Sequence, residues 1–217
     1  MNVSDIISRV QRQFGDESGV QVLQSDIIRW INDAQREAVV QHDGLLSKEI
    51  TGGTLATFAF YNIPSDCLDI LTVEYKLSGD TVFYALQYMS KKQLNEYMPG
   101  WSGLDADVPK YWTRGRTEGS ILLVPGPAAS GDQYRIVYSR YATDIEDETS
   151  PIDLPQYYHP FVLEFCLMKA YEMDENWDAA DRKASYVQST LDANNARESW
   201  TGKETYPSVT PVSEDYV

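Results

Sequence analysis

The sequence predicts an α+β protein in which helices near both ends of the chain flank a β-rich region. Apolar residues recur at helical spacing near both termini, alternate in the middle, and are separated by Gly- and Pro-containing segments. The helical segments can bury their apolar faces only against each other. We therefore expect a discontinuous helical bundle, residues 1–44 and 154–200, an inserted antiparallel β region, residues 45–153, and an extended C-terminal tail, residues 201–217.

Two amphipathic helices are predicted in the N-terminal part. The first spans residues 4–14, with Ser4 as its N-cap. The second begins at its own N-cap, Ser25, and extends to about Gln41. Its apolar stripe consists of Ile27, Ile31, Ala34 and Ala38. Both helices need a partner surface for their apolar faces.

The middle of the chain has the pattern of strands and turns. Two strand-like segments, 48–51 and 57–61, flank Gly52-Gly53 and predict a β-hairpin. A Gly- and Asp-rich segment, 101–109, predicts an exposed loop. A short helix is predicted over residues 90–98. The remaining predicted strands complete an antiparallel sheet or a small sandwich, and they span residues 68–77, 81–86, 111–113, 120–124 and 133–141.

Two further helices are predicted after an acidic loop. Residues 155–173 are apolar almost all round, which is typical of a helix buried in the centre of a bundle. Pro160 fits in the first turn of that helix, where no backbone hydrogen bond is lost. The last helix spans Trp177 to about Trp200, and its apolar stripe consists of Trp177, Ala180, Ala184, Val187 and Leu191.

The charge balance argues against tight binding of nucleic acids over most of the surface. The chain has 33 acidic and 18 basic side chains and a formal net charge of −15. Affinity for DNA and RNA comes mainly from Lys and Arg that replace counterions, so this surface repels phosphate. Such a charge suits a protein past which DNA must slide, but it also keeps an ordinary protein soluble.

The fifteen tyrosines are also open to two interpretations. Tyrosine suits surfaces that are wet before assembly and buried after it, and it is also common on exposed faces of sheets. Cys67 and Cys166 are isolated, and we expect them to be free thiols in a reducing compartment. The N-terminal residues lack a signal-peptide pattern, and no apolar run has the ~20 residues of a membrane helix. We expect a protein that is made and used in soluble form.

No motif in the sequence predicts catalysis or a cofactor. His42 closes the second helix and His159 opens the buried one, where structural roles are expected. Neither cysteine has a Cys or His at metal-ligand spacing, and phosphate loops and nucleophile elbows are absent from the sequence. The acidic loop that starts at Asp144 lacks the oxygen spacing of a calcium-binding hand. We expect a protein that is not an enzyme and binds neither a metal nor a cofactor.

Arginines in the predicted β region run against the prevailing charge. They can contact an acidic partner or an acidic neighbouring copy of the chain, or they can pair with carboxylates of their own chain. The sequence leaves both interpretations open. The residues concerned are Arg114, Arg116, Arg135 and Arg140.

Several segments, in order, resemble head-to-tail adaptor (connector) proteins of short-tailed bacteriophages. Residues 26–37, DIIRWINDAQRE, are similar to the opening of these proteins. Further along, PKYW precedes ILLVPGP and YRIVY, LPQYYHP leads the apolar helix, and Asp178, Ala179 and Ala180 lie near the start of the last helix. Each motif is weak alone, and their order carries the resemblance, which covers residues 4 to about 199.

The resemblance implies a structural virion protein of the phage neck, made in the host cytoplasm. Twelve copies would form a ring beneath the portal protein, and a tail nozzle or fibre protein would dock below. DNA would pass through an acidic channel without specific binding during ejection. In such adaptors the C-terminal segment commonly reaches the portal, and the apolar and aromatic residues that would bind it here are Tyr206, Val209, Val212 and Tyr216.

Two alternatives remain at this point. The first is another neck or tail component, a head-completion or tail-terminator subunit. The split helical bundle favours the adaptor, whereas a mainly β ring would favour a terminator. The second is a small hydrolase that uses Asp or Glu, which would require a carboxyl group of strongly raised pKa in a pocket.

Overall fold

A computed structural model describes residues 2–42, 44–55, 59–115 and 119–201, with side chains up to residue 197. Within this part of the chain the protein is α+β, with five α-helices and two four-stranded sheets. The chain divides into two units. The first unit combines Met1–Ala34 with Glu146–Val217, and the second is Gln35–Ile145.

The helices and strands follow each other in the order that the sequence predicts for the two ends and the middle. The helices are α1 Val3–Phe14, α2 Gln24–Gln41, α3 Lys91–Tyr97, α4 His159–Met173 and α5 Trp177–Thr201. The strands are β1 Ser47–Gly53, β2 Phe60–Asn62, β3 Cys67–Lys76, β4 Tyr84–Ala85, β5 Gln87–Tyr88, β6 Tyr111–Arg114, β7 Ser120–Val124 and β8 Gln133–Arg140.

Helix α1 begins earlier than predicted because Asn2, not Ser4, is its N-cap. The Asn2 side chain accepts a hydrogen bond from the backbone N–H of Asp5 (2.8 Å), and the Asp5 carboxylate accepts one from the N–H of Asn2 (3.1 Å). This reciprocal pair satisfies two of the N–H groups that a helix start leaves without a partner. Ser4 lies inside the helix and donates its hydroxyl to Asn2.

Helix α2 also begins earlier than predicted, at Gln24, which is one residue before the predicted N-cap Ser25. Ser25 lies inside the helix, and the N–H groups of Asp26 and Ile27 donate to the carbonyl of Leu23. The predicted apolar stripe is confirmed, since all four of its side chains are fully buried: Ile27, Ile31, Ala34 and Ala38.

A buried carboxylate organises the loop between α1 and α2. Asp16 is only 7% exposed, and its two oxygens accept hydrogen bonds from three backbone N–H groups and one hydroxyl. The donors are Ser18, Val20, Gln21 and Val22. These bonds, led by the one from Val22, outweigh the effect of burial and hold the pKa of Asp16 below its ordinary value.

In the first unit α4 packs against both α1 and α5. Pro160 lies in the first turn of α4, as predicted. Ala180, Val187 and Leu191 of α5 are buried, but the prediction for Trp177 is wrong, because its side chain is 61% exposed. Helix α4 ends at Met173 and residues 173–178 are all exposed, so the first turn of α5 extends beyond the packed part of the pair.

The predicted hairpin between β1 and β2 is wrong. The first sheet has the order β1-β8-β3-β4 and the second the order β2-β7-β6-β5, so these two strands lie in different sheets. Gly52 serves cross-strand packing and not a turn, since a Cβ atom on it would lie 2.6 Å from the ring of Tyr134 in β8. A glycine here lets the aromatic ring lie across the neighbouring strand.

The other β-region predictions are confirmed in their main features. The predicted strands at 68–77, 111–113, 120–124 and 133–141 correspond to β3, β6, β7 and β8, and the short helix corresponds to α3 with Ser90 as its N-cap. The predicted strand at 81–86 is shorter, since β4 is Tyr84–Ala85. Two local features differ from expectation: β5 pairs with β6 in parallel, and Trp101 in the predicted exposed loop is buried.

The two sheets share a core of buried side chains in the second unit. The first sheet contributes residues from β3 and β8, and the second contributes residues from β2, β6 and β7. This core contains Ile70, Val73, Tyr75, Ile136 and Tyr138 with Trp112, Ile121 and Leu123.

The Asp16→Ala variant is expected to lower the stability of the folded chain at neutral pH, because four hydrogen-bond donors lose their acceptor. The folded-state pKa of Asp16 is lowered, so its contribution is complete above the unfolded-state pKa of about 3.9 and is lost as the pH falls through the lower folded-state value. Urea unfolding of the variant and the wild-type protein at pH 7 and pH 3 measures this. The control is Glu17→Ala in the same loop, and an equal effect of both variants at pH 7 would contradict the role of Asp16.

Candidate interaction surfaces

The tyrosines in the described part of the chain are buried, half-buried or exposed. Four of these are buried: Tyr61, Tyr75, Tyr138 and Tyr158. Five are among the exposed large side chains: Tyr84, Tyr88, Tyr97, Tyr141 and Tyr186. The exposed set gives the surface the residue type that protein interfaces favour.

A groove in the second unit is lined by two of these exposed tyrosines, Tyr88 and Tyr97. It is lined by Gln87, Tyr88, Met89, Gln93, Tyr97, Met98 and Tyr111. None of the lining side chains carries a charge, in a chain with a formal net charge of −15. Tyr and Met are enriched in the centres of protein interfaces and charged residues are depleted there. The groove therefore has the composition of a protein contact surface.

Three of the four predicted contact arginines lie in the described part of the chain, and each has a partner within the chain. The guanidinium of Arg114 lies 2.8 Å from the carboxylate of Asp69. Arg140 donates to the backbone carbonyl of Tyr141 (3.1 Å). Arg116 lies outside the described residues.

Arg135 lies at the centre of a row of charges across three strands of the first sheet. It bonds to Glu74 of β3 through Nε (2.6 Å), and its Nη1 lies 3.6 Å from the carboxylate of Glu49 in β1. Its guanidinium also stacks over the ring of Phe83, 4.4 Å from the centroid, and Lys76 approaches the same ring. The ion pairs and the aromatic contact fix the orientation of this arginine.

A second charged group joins β1 to the start of β3. Asp66 accepts hydrogen bonds from the ammonium of Lys48 (3.1 Å) and the hydroxyl of Tyr138 (3.0 Å). Burial alone would raise the pKa of Asp66, but these two bonds outweigh it and lower the pKa. The pKa of Lys48 is raised by its hydrogen bond to Asp66. The charged forms of both groups are therefore favoured in the fold.

Asp132 ties together the ends of three strands, a role that the sequence did not reveal. Its carboxylate accepts hydrogen bonds from the hydroxyl of Tyr75 and from the backbone N–H of Ser78 (2.7 Å). Its carbonyl accepts the N–H of Thr54 (2.9 Å). Burial, together with the bond to this carboxylate, raises the pKa of Tyr75. In the sequence Gly131-Asp132 signals a turn, but it does not identify the strands that meet there.

The described residues give the hydrolase alternative no support. Among them no group of three His, Cys, Asp or Glu side chains is arranged to hold a metal ion. The carboxyl groups with a shifted pKa, Asp16, Asp66 and Asp147, are all shifted downward, whereas a carboxyl-based hydrolase needs one raised.

The histidines and cysteines occupy structural positions. His159 is buried at the start of α4, with Nε2 3.2 Å from the carbonyl of Leu154, and His42 follows the end of α2. Cys67 and Cys166 are free thiols, and burial raises the pKa of both. Such thiols are poor nucleophiles.

Two further predictions concern membrane-spanning helices and the portal-binding residues. None of the helices in the described ranges combines the length and the apolar character needed to cross a membrane. The residues predicted to bind the portal, Tyr206, Val209, Val212 and Tyr216, lie outside the described residues.

Replacing Arg135 by Met is expected to reduce the free energy of unfolding by about 1–3 kcal/mol, because Glu74 keeps a mostly buried charge without its partner. The matched control is Arg114→Met, which breaks the exposed pair with Asp69 and should cost less than about 1 kcal/mol. Denaturant unfolding at pH 7 compares the two. Adding Glu74→Gln to Arg135→Met should recover part of the loss, and equal costs for the two arginines would contradict the importance of the row.

Comparison with known proteins identifies the family of the chain. No curated protein matches the sequence. The sequence matches the family described as SU10 adaptor protein over residues 1–211, which is nearly its whole length. The chain belongs to the SU10 adaptor protein family, whose members are structural adaptors of the phage neck.

Proposed function

We propose that the protein forms an adaptor ring that joins the portal of the phage head to the tail nozzle or fibres, with DNA passing through its centre. The family match over residues 1–211 carries this proposal. Twelve copies per ring is the number that the family resemblance implies. No observation on the described residues favours a head-completion or tail-terminator subunit.

The net charge supports passage of DNA without adhesion. Each copy has a formal charge of −15, and in the proposed ring acidic side chains of every copy would line the channel. Phosphates gain no counterion release from an acidic surface and are repelled by it. An acidic channel then lets a duplex move during ejection without being held.

The helical segments at the two ends of the chain supply the body of each copy in this proposal. The contacts of α4 with α1 and α5 support a bundle of N- and C-terminal helices. The C-terminal tail, residues 201–217, would extend from this bundle to the portal. Its apolar and aromatic residues would bury surface there at some cost in chain entropy.

The arginines of the β region would act at contacts between copies or with partners. Arg114 is more than half exposed, so its pair with Asp69 can be exchanged for a carboxylate of a neighbouring surface at little cost. Arg135 is held more firmly between Glu49 and Glu74. Arg140 and Arg116 complete the proposed set of contact arginines.

Deleting residues 201–217 is expected to leave the fold intact and to weaken binding to the portal protein, because the tail supplies the proposed portal contact. Co-sedimentation of the chain with the portal measures binding, and circular dichroism checks the fold. A matched control keeps the full length and replaces the four anchors, Tyr206, Val209, Val212 and Tyr216, with Ala. Binding that is unchanged by both the deletion and the four substitutions would overturn the tail assignment.

The purified chain is expected to remain monomeric in the absence of portal and to form a ring when portal is added, because the portal would serve as a template. Light scattering of the chain alone and electron microscopy of the mixture measure the two states. A stable ring in the absence of portal would contradict the templated assembly. Absence of any ring on the portal would contradict the proposed function itself.

A further inference from the structure

We propose that the free edge of β1 accepts residues 206–212 of a neighbouring copy as an added β-strand. This inference rests on the proposed ring, since it describes one contact between adjacent copies. Two observations carry it: an exposed strand edge on the folded chain, and a segment of matching length, neutrality and proline spacing near its C-terminus.

The hydrogen bonds at both ends of β1 show which of its residues point to the free edge. The N–H of Thr54 donates to the carbonyl of Asp132, and the N–H of Arg140 donates to the carbonyl of Leu46. In an antiparallel pair the residues that bond to the partner alternate with residues that do not. Even-numbered residues therefore bond to β8. The backbone groups that point outward belong to Ser47, Glu49, Thr51 and Gly53.

Among the described residues, no strand pairs with this edge of β1 and its residues are accessible. Every residue of β1 is exposed except Gly52, which is half-buried, and the pairing with β8 shows no register shift. The other edge strands among the described residues, β2, β4 and β5, are only two or three residues long. A long, regular, uncovered edge is a template for another strand, and proteins normally shield such edges. We therefore expect this edge to be covered in the assembly.

The occupant must approach a chain of the same strong charge. Two copies with a formal charge of −15 each repel one another, so a contact made of neutral groups is favoured. Residues 205–213 have the sequence TYPSVTPVS, which contains no charged side chain. Backbone N–H and C=O groups are neutral as well, and strand addition gains its binding from them.

The prolines of this segment are spaced as an added strand requires. Pro207 and Pro211 both have odd numbers, so both can face away from β1, where no N–H is needed. Four residues on the other side retain their N–H groups, which equals the number of outward residues on β1: Tyr206, Ser208, Thr210 and Val212. Residues before proline also favour extended backbone, which holds for Tyr206 and Thr210.

Strand addition is compatible with the proposed portal contact. It uses the backbone of residues 206–212, and the side chains of a strand project to its two faces. The portal can therefore contact side chains of a tail that β1 of the next copy holds in place. A strand given by each copy to the next is a head-to-tail contact, the type that closes rings.

The test uses the full-length chain with Thr51→Pro and a fluorescent peptide of residues 202–217. The substitution removes an outward N–H and leaves the bonds between β1 and β8, which use even-numbered residues. Fluorescence anisotropy should show peptide binding to the wild-type chain and binding at least about tenfold weaker to the variant. Thr51→Val, which keeps the N–H, should bind as the wild-type chain does. Equal binding to Thr51→Pro, or no binding to the wild-type chain, would overturn the inference.

The peptide itself offers a matched pair of variants. Ser208→Pro places a proline on the side that pairs with β1 and should abolish binding, whereas Val209→Pro places it on the free side and should preserve binding. Equal loss in both peptides would show that strand pairing is not the mode of contact. Portal co-sedimentation of the Thr51→Pro chain separates the two proposals, because portal binding with no strand addition would leave the proposed function standing.

The source of the strand is tested by mixing two cysteine variants of the full-length chain. Chains with Thr51→Cys are mixed with chains that have Ser208→Cys or Thr210→Cys, on the portal and under mild oxidation. A disulfide-linked pair of different chains is expected, above the level that Cys67 and Cys166 give in the wild-type mixture. If only a chain with both substitutions forms the bond, within itself, then β1 holds its own tail and the proposed exchange between copies is wrong.

Discussion

The hydrogen bonds of Asp132 are the constraint on which the second unit depends. They join the start of β8 to the end of β1 through Thr54 and to the end of β3 through Tyr75 and Ser78. Thr54 lies 78 residues from Asp132 in the sequence, so the closure is entirely non-local. Pairing of such distant segments must close long loops before each contact contributes, which makes formation of the sheet slow. The free edge of β1 is a consequence of this closure, since β8 occupies its other edge.

The helices could be predicted from the sequence because their signal is local, whereas strand partners could not. The stripe that includes Ile27 and Ile31 repeats within a few residues and its burial follows from amphipathicity alone. Gly52-Gly53 is equally compatible with a hairpin and with a strand beneath an aromatic ring. Only the position of Tyr134, some eighty residues further on, decides between them. The N-cap of α1 was predicted wrongly because Asn2 and Ser4 are both good capping residues and lie only two residues apart.

For the candidate surfaces too, the sequence identified individual residues but not the partners that they contact. The arginines stand out in an acidic sequence, but their partners could not be identified from it, since Arg135 meets Glu74 from 61 residues away. The chain has 33 Asp and Glu residues, so the sequence offers many equally plausible carboxylate partners for each arginine. Asp132 and Asp66 were missed because an aspartate in a turn is common, and its role depends on which strand ends converge on it. The family could be recognised from the sequence because the resemblance depends on the order of weak motifs along the chain and not on contacts between distant residues.

The charge that suits DNA passage also bears on how copies of the chain associate. Repulsion between acidic surfaces extends over a Debye length of about 8 Å at physiological ionic strength, so it opposes approach before short-range contacts form. The attractions available at contact are neutral ones, such as the uncharged groove around Tyr88 and Tyr97 and the backbone edge of β1. A template that binds each copy separately raises the local concentration of its neighbours, to the millimolar range for short connections, and so offsets the repulsion. In the proposed ring, free passage of DNA and dependence of assembly on the portal then have one physical origin, the net negative charge of the chain.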